Sequence, residues 1–156
     1  MKKFFAVVIA AFAVILTGYA ATASDYRAAA ERGDAEAQNN LGVCYKNGWG
    51  VTKDLAEAVR WWKKAAEQGL APAQFNLGVC YANGRGVTKD YAEAVRWFRK
   101  AAEQGIAPAQ FILGVCYYNG QGVTKNYAKA VRWFRKAARQ GYQNAKKALN
   151  NLGETW

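Results

Sequence analysis

The spacing of the three cysteines constrains the fold of this chain more than any other feature. Cysteine stands at positions 44, 80 and 116, so both intervals are 36 residues long. The string from Ala71 to Gly105 has nearly the same sequence as the segments on either side of it. A fixed period of this length is typical of a protein built from stacked structural repeats. The predicted repeats are residues 34–69, 70–105 and 106–141.

Each repeat predicts two helices joined by a short turn. In the middle repeat, small and apolar residues recur at steps of three and four through Ala73 and Leu77, which places them on one face of a first helix. An Asn-Gly-x-Gly sequence ends this helix, because glycine tolerates a left-handed backbone. Asp90 begins the second helix, since its side chain can accept hydrogen bonds from the first-turn amides. Trp97 and Phe98 lie on the apolar stripe of that second helix.

The repeated string resembles the Sel-one-like repeats, a family related to the tetratricopeptide repeats. The pattern A-x-x-LG-x-x-Y-x-x-G-x-GV-x-x-D-x-x-x-A-x-x-W-[FY]-x-x-AA-x-x-G stands at residues 37–69, 73–105 and 109–141. It departs from the family only at Asn126, where Asp is usual, and at Trp62, where Phe or Tyr is usual. The resemblance implies an all-α fold, a right-handed α-α superhelix or solenoid of three helix-turn-helix repeats. It also implies a role in holding other proteins together, with no fixed chemistry.

The segment before the repeats, residues 1–23, has the pattern of a secretory signal peptide. Lys2 and Lys3 precede an apolar run, and Ala21-Thr22-Ala23 offers a small-x-small cleavage site, so we expect cleavage after Ala23. An uncleaved anchor is the alternative, but the apolar run is shorter than the roughly 20 residues that a spanning helix needs. The pattern predicts a periplasmic or secreted protein, with no transmembrane segment after cleavage. Together with the family resemblance it indicates a Gram-negative bacterium.

Two incomplete repeats flank the array. Residues 24–33 align with the last turns of a second helix and can cover the first repeat. Residues 142–156 begin like a further first helix, and Ala145 and Leu149 can still face inward, while Lys146 and Lys147 stand where the third repeat carries Gln110 and Phe111. An open array needs polar terminal caps of this kind. We therefore expect one continuous domain.

Positive charge is concentrated in the third repeat. The whole chain carries +11, whereas the three repeats carry 0, +2 and +6 in order. We define the basic patch as the five cations on the last second helix. Its members are Lys129, Arg132, Arg135, Lys136 and Arg139. Such a patch can bind an anionic envelope glycan or lipid, or it can simply be a solvated helix face that aids solubility. Nucleic acid would also suit such a patch, but export would separate the protein from it, so we do not expect nucleic acid as a partner.

The three cysteines are expected to be unpaired packing residues. Equivalent helices of neighbouring repeats lie roughly 8–10 Å apart, whereas a disulfide needs Cα atoms about 4.4–6.8 Å apart. Their separation argues against a shared metal ion for the same reason. The chain also has no histidine, and Ser24 is the only serine. Triads based on imidazole, common zinc sites and Ser-x-x-Lys nucleophiles are therefore excluded, and we predict no enzyme activity and no cofactor.

Binding sites are expected where the repeats differ from one another on an otherwise fixed scaffold. A helical wheel places the variable first-helix positions, together with the repeated valines, on the face opposite the Leu-Cys core, which lines the concave groove of such a solenoid. A second variable set, which includes Trp49, lies in the Gly-x-Gly turns. The predicted partner-binding residues are Asn39, Val43, Lys46, Trp49, Phe75, Val79, Phe111, Val115 and Tyr118.

Two of these predictions leave alternatives open. Phe75, Phe111 and Tyr118 can receive an apolar segment of a protein partner, or the aromatic rings can pack between neighbouring first helices. Trp49, in the first Gly-x-Gly turn, can contact a partner or fold back on its own repeat.

Overall fold

The computed structural model describes residues 21–156, and within this range it consists of eight helices and no strand. In chain order the helices are α1 (Ala23–Glu31), α2 (Ala35–Asn47), α3 (Leu55–Glu67), α4 (Ala71–Asn83), α5 (Tyr91–Glu103), α6 (Ala107–Asn119), α7 (Tyr127–Arg139) and α8 (Gln143–Asn151). Each helix packs against its neighbours in sequence, so the chain is an all-α superhelix, as predicted. The first helices of the repeats are α2, α4 and α6, and the second helices are α3, α5 and α7.

The helix boundaries follow from the capping residues that the sequence supplies. The Asp90 carboxylate accepts a hydrogen bond from the Glu93 backbone N–H at 3.0 Å, at the start of α5. The Asn126 side chain does the same for Lys129 at 2.9 Å. At the other end of α4, Gly84 adopts φ 66°, a left-handed conformation that closes the helix without a Cβ clash.

The core is a column of small and aromatic side chains between the first and second helices. The predicted stripe on α5 is buried, and Phe98 is only 2% exposed. Leu77 on α4 is fully buried, and its counterparts Leu41 and Leu113 are buried in the same way. The repeated apolar positions of the sequence therefore form the interior.

A glutamine pair links the two helices of each repeat, and sequence periodicity does not predict it. The Gln74 Nε2 atom donates to the Ala66 carbonyl at 3.2 Å, and the Gln104 Nε2 atom donates to Gln74 Oε1 at 2.8 Å. Gln74 is 3% exposed, so a polar side chain is held inside the array by these bonds. The same pair recurs in the other two repeats as Gln38 with Gln68 and Gln110 with Gln140.

The first described helix begins before the expected cleavage point. Ala23 is 1% exposed, and its backbone N–H donates to the Trp49 carbonyl at 3.0 Å. Thr22 precedes the helix, and its backbone N–H and hydroxyl both donate to the Asp25 carboxylate, at 2.7 and 3.1 Å. Both residues are integral to the fold in this structure. Residues 1–20 of the expected signal peptide lie outside the described part of the chain.

The C-terminal segment folds back on the last repeat. Ala145 and Leu149 of α8 are buried, in agreement with their predicted inward orientation. Glu154 forms a salt bridge of 2.7 Å with Arg135 on α7. Trp156 packs under the Lys146 ammonium, 3.8 Å from the ring centroid. No helix between residues 21 and 156 is long and apolar enough to cross a membrane.

Candidate interaction surfaces

The nine predicted partner-binding residues fall into three classes of exposure. Asn39 is buried, Lys46, Trp49 and Tyr118 are exposed, and the remaining five are half-buried. Those five are Val43, Phe75, Val79, Phe111 and Val115. The structure therefore brings only part of the predicted set to the surface.

Phe75 and Phe111 use their rings for packing inside the array. The Phe75 ring lies 6.0 Å from the Phe98 ring of the same repeat, measured between centroids. Phe111 packs against Phe134 at 5.6 Å and against Tyr142 at 5.4 Å. These contacts correspond to the packing alternative, although the partners lie on second helices and at the cap rather than on neighbouring first helices. A binding role for the two phenylalanines stays a prediction.

Asn39 forms a polar junction between the first two repeats. The Trp62 indole N–H donates to the Asn39 carbonyl at 3.2 Å, and the Asn76 Nδ2 atom donates to Asn39 Oδ1 at 3.3 Å. Asn39 is 8% exposed. These bonds satisfy polar groups that would otherwise be costly to bury, so the position is occupied by internal contacts.

Trp49 and Tyr118 are the two exposed aromatic residues of the predicted set. Trp49 is 48% exposed in the first Gly-x-Gly turn, while its carbonyl accepts the bond from Ala23. About half of its surface is therefore open to solvent, and a contact role for Trp49 stays a prediction. Tyr118 is 39% exposed at the end of α6 and lies 6.3 Å from the Tyr127 ring.

A pocket of about 460 Å³ opens between the first and second repeats, and we call it the interrepeat pocket. Three cations line it: Lys46 at the end of α2, Lys53 in the loop before α3, and Arg85 in the second Gly-x-Gly turn. Val79, a predicted contact, lies on its wall. The remaining lining residues are Asn47, Leu55, Trp62, Asn76 and Cys80.

Comparison of the repeats could not identify every residue of this pocket. Lys53 has the counterparts Lys89 and Lys125, so the position does not vary and gives no signal. Arg85 and Asn76 do vary between repeats, but only the three-dimensional arrangement places them beside Lys46.

The basic patch is only partly available as a cationic surface. Lys129, Arg132 and Lys136 line a smaller pocket of about 230 Å³, together with Arg99 and Glu103 of α5 and the rings of Tyr117 and Trp133. Arg139 is exposed outside this pocket. Arg135 is neutralised by Glu154, and its Nε atom donates to the Thr155 carbonyl at 2.8 Å. Arg135 is therefore engaged by the C-terminal tail, which the charge pattern alone did not reveal.

The three cysteines are free and buried, as expected for packing residues. Burial raises the pKa of each thiol, and it raises that of Cys80 to about 11 even though Lys46 and Arg85 act in the opposite direction. A thiol with such a pKa is a poor nucleophile and metal ligand at neutral pH. Within residues 21–156, no three His, Cys, Asp or Glu side chains are grouped so that they could hold a metal ion.

Comparison with protein families gives one match, to the model described as Sel1 repeat. It covers residues 35–70, 71–106 and 107–142, which together are more than half of the chain. These boundaries lie one residue beyond those predicted from the cysteine spacing. No curated protein matches the chain at a significant level.

Solved structures with the same architecture include three bacterial proteins. A protective antigen of uropathogenic Escherichia coli strains, displaying an SLR fold, is 48% identical, with a TM-score of 0.81 over 83% of this chain and 28% of the antigen. A Sel1 repeat protein from Oxalobacter formigenes is 46% identical, with a TM-score of 0.71 over 73% of this chain and 47% of that protein. Helicobacter pylori cysteine rich protein B is 28% identical, with a TM-score of 0.63 over 83% of this chain and 98% of that protein. The chain thus spans less than half the length of the first two.

Proposed function

Because the chain belongs to the Sel1 repeat family, we propose that it is a non-enzymatic scaffold that holds a protein partner in the bacterial envelope. Proteins of this family are generally protein-protein interaction scaffolds. The absence of histidine from the sequence supports a role without catalysis. The signal-peptide pattern of residues 1–23 supports export to the periplasm or outside the cell.

One observation carries this proposal: the positions that vary between repeats at the end of the first helix and in the following turn lie at the surface, whereas the repeated leucines of the first helices are buried. Leu41, Leu77 and Leu113 are identical and fully buried. In contrast, Lys46 is replaced by Ala82 in the second repeat and by Tyr118 in the third, and none of the three is buried. A fixed scaffold with a variable surface is the arrangement by which solenoids bind different partners.

The surface of this proposal is built from exposed residues of the predicted set. Trp49 is its strongest anchor, because a large exposed aromatic side chain can bury much area against a partner at little entropic cost. Lys46 and Tyr118 occupy equivalent, exposed positions near the ends of the first helices of repeats one and three. Phe75 and Phe111 instead pack against the Phe98 and Phe134 rings of the second helices.

The test is capture of a partner by the tagged full-length chain in its own cells, after mild crosslinking of the envelope. We expect one specific protein with the wild type and its loss with Trp49→Ala/Tyr118→Ala. The matched control is Trp156→Ala, because Trp156 is 52% exposed and lies in the C-terminal tail. Equal recovery with the first variant, or equal loss with the control, would contradict this surface.

A second function, binding of an anionic envelope glycan or lipid, is favoured by the pocket of the basic patch. Lys129, Arg132 and Lys136 share that pocket with Arg99, and only Glu103 opposes them. Cosedimentation with phosphatidylglycerol vesicles tests it. This function predicts binding that salt abolishes and that Lys129→Ala/Lys136→Ala weakens, with no binding to phosphatidylcholine vesicles.

A further inference from the structure

The interrepeat pocket concentrates positive charge without any carboxylate on its wall. Lys46, Lys53 and Arg85 line it, and no Asp or Glu is among the residues around it. Asp54 is adjacent in sequence, but its carboxylate accepts bonds from the Ala56 and Glu57 amides at the start of α3. The first repeat has no net charge, so this local excess comes from the fold and not from composition.

The three cations of the pocket form neither the salt bridges nor the aromatic-ring contacts that other cations of this protein form. Arg60 and Arg96 pair with glutamates three residues away, and Lys64 and Lys100 lie over tryptophan rings. Within residues 21–156, none of the ion pairs or ring contacts involves Lys46, Lys53 or Arg85. Their charges are therefore free for a ligand.

The positive charges of Lys46 and Arg85 both act on Cys80, which lines the pocket. Both lower the pKa of the Cys80 thiol against the larger effect of burial. Cys80 lies on the second repeat, whereas Lys46 lies on the first. Lys46 from the first repeat and Arg85 from the second thus bring positive potential to the same place.

The equivalent junction between the second and third repeats lacks this arrangement. Its counterparts of Lys46 and Arg85 are Ala82 and Gln121. The counterpart of Lys53 is Lys89, whose ammonium lies 4.7 Å from the ring centroid of Tyr91. At the first junction Leu55 replaces that tyrosine and leaves Lys53 without a ring to cover. The cationic pocket is therefore a feature of one junction and not of the repeat.

Apolar side chains line the pocket beside the three cations. Leu55, Val79 and the nearly buried Trp62 line it, and the Asn76 amide lies among them. A ligand that fits must carry negative charge for the cations and apolar groups for the apolar side chains. A peptide segment offers both, since a carboxylate and an apolar side chain two positions apart lie on the same side of an extended chain.

We propose that the interrepeat pocket binds an acidic segment of a protein partner, with a side-chain carboxylate held by Lys46 and Arg85 and a neighbouring apolar side chain against Val79 and Leu55. Charge-assisted bonds from arginine and lysine to carboxylates are among the stronger hydrogen bonds in proteins. This inference rests on the proposed scaffold function and specifies the chemistry of the partner. The volume of about 460 Å³ lies within the range of ordinary ligand pockets.

The test measures binding of a fluorescein-labelled peptide in which glutamate and leucine stand two positions apart, by fluorescence anisotropy. The decisive variant is Lys46→Ala/Arg85→Gln, which installs the residues that the second junction carries naturally and should therefore fold. The control is Lys147→Ala/Arg32→Gln, which removes the same charge from exposed positions outside the pocket and outside the basic patch. We expect at least tenfold weaker binding for the pocket variant, since it removes both cations that would hold the carboxylate, and less than twofold change for the control.

Three results would overturn the inference. Equal weakening by both variants would show non-specific attraction of charge, and equal binding of a glutamine-leucine peptide would show that carboxylates are not recognised. Displacement of the acidic peptide by inorganic phosphate at equal concentration would indicate a general anion site. If the crosslinked partner is lost with Trp49→Ala/Tyr118→Ala but retained with Lys46→Ala/Arg85→Gln, the scaffold function stands and this pocket does not contribute to it.

Discussion

Gly78 on α4 lies so close to the Phe98 ring on α5 that an added Cβ atom would be 2.8 Å from the ring carbon Cδ1. The other two repeats have the same relationship, between Gly42 and the Trp62 indole and between Gly114 and the Phe134 ring. The first and second helices of each repeat can therefore approach closely only because one residue has no side chain. This contact explains the Leu-Gly pair that recurs in the sequence.

Replacing Gly78 with alanine should destabilise the protein by about 1–3 kcal/mol, because the added methyl group overpacks a filled core. Urea unfolding followed by circular dichroism measures the change. In the Gly78→Ala/Phe98→Leu double variant, we expect a smaller loss than the sum of the two single losses, since the smaller side chain makes room for the methyl group. Additive losses would show that the contact does not limit the packing.

The sequence predicted the helices well because the residues that fix their ends act locally. The Asn-Gly-x-Gly turns and the Asp or Asn caps need only the backbone of their own segment, and all three second helices begin directly after these caps. The buried stripes were predictable for a similar reason. A period of three to four residues assigns Trp97 and Phe98 to one face without knowledge of what covers it.

The candidate sites were less predictable because they depend on contacts between distant residues. A helical wheel places Phe75 away from the core of its own helix, but it cannot show that Phe98 lies within reach. Arg135 belongs to a charge cluster in sequence, and only the fold brings Glu154 to it. The interrepeat pocket likewise combines Lys53 and Arg85, which no pattern links.

Gln74→Ala should lower the free energy of unfolding by about 1–3 kcal/mol. The variant loses the hydrogen bonds of Gln74 to the Ala66 carbonyl and to Gln104, each with a net contribution of about 0.5–1.5 kcal/mol. It also loses the packing of the side-chain stem. Thermal or urea unfolding measures the loss. The matched control Gln143→Ala alters an exposed glutamine and should change stability by less than about 0.5 kcal/mol. Similar effects of both variants would argue that the glutamine pair does not stabilise the repeat.

A chain that begins at Ser24 should be less stable than one that begins at Ala21, by about 1–2 kcal/mol. The shorter chain lacks Thr22, which donates two bonds to Asp25, and the buried Ala23. Loss of a helix cap typically costs this much. Comparison of urea midpoints for the two purified chains measures the difference.

Asp25→Ala, made in both of these chains, is the control for the comparison. This change should destabilise the longer chain more than the shorter one, because Thr22 is already absent from the shorter chain. Equal stability of the two chains would show that the fold begins at Ser24. That result would agree with the expected cleavage after Ala23, whereas a clear loss would favour a mature chain that retains Thr22.

The native cysteines should react slowly with iodoacetamide at pH 8 and quickly after unfolding. Burial raises the pKa of the Cys80 thiol from its ordinary value of 9.0 to about 11, and the thiolate is the reactive form. An exposed control, Thr88→Cys, should be alkylated rapidly in the native state. Mass spectrometry after digestion assigns the label to each position. Rapid labelling of native Cys80 would contradict its burial.

The raised pKa of Cys80 also predicts how stability depends on alkaline pH. Between pH 9 and about 11 the unfolded chain loses the thiol proton while the folded chain keeps it, so the unfolded state binds fewer protons and stability falls as the pH rises. Below pH 9 both states keep the proton and this effect is absent. Cys80→Ala should therefore lose less stability than the wild type between pH 9 and 11 in urea titrations. Parallel losses in the two proteins would mean that other groups cause the whole alkaline decline.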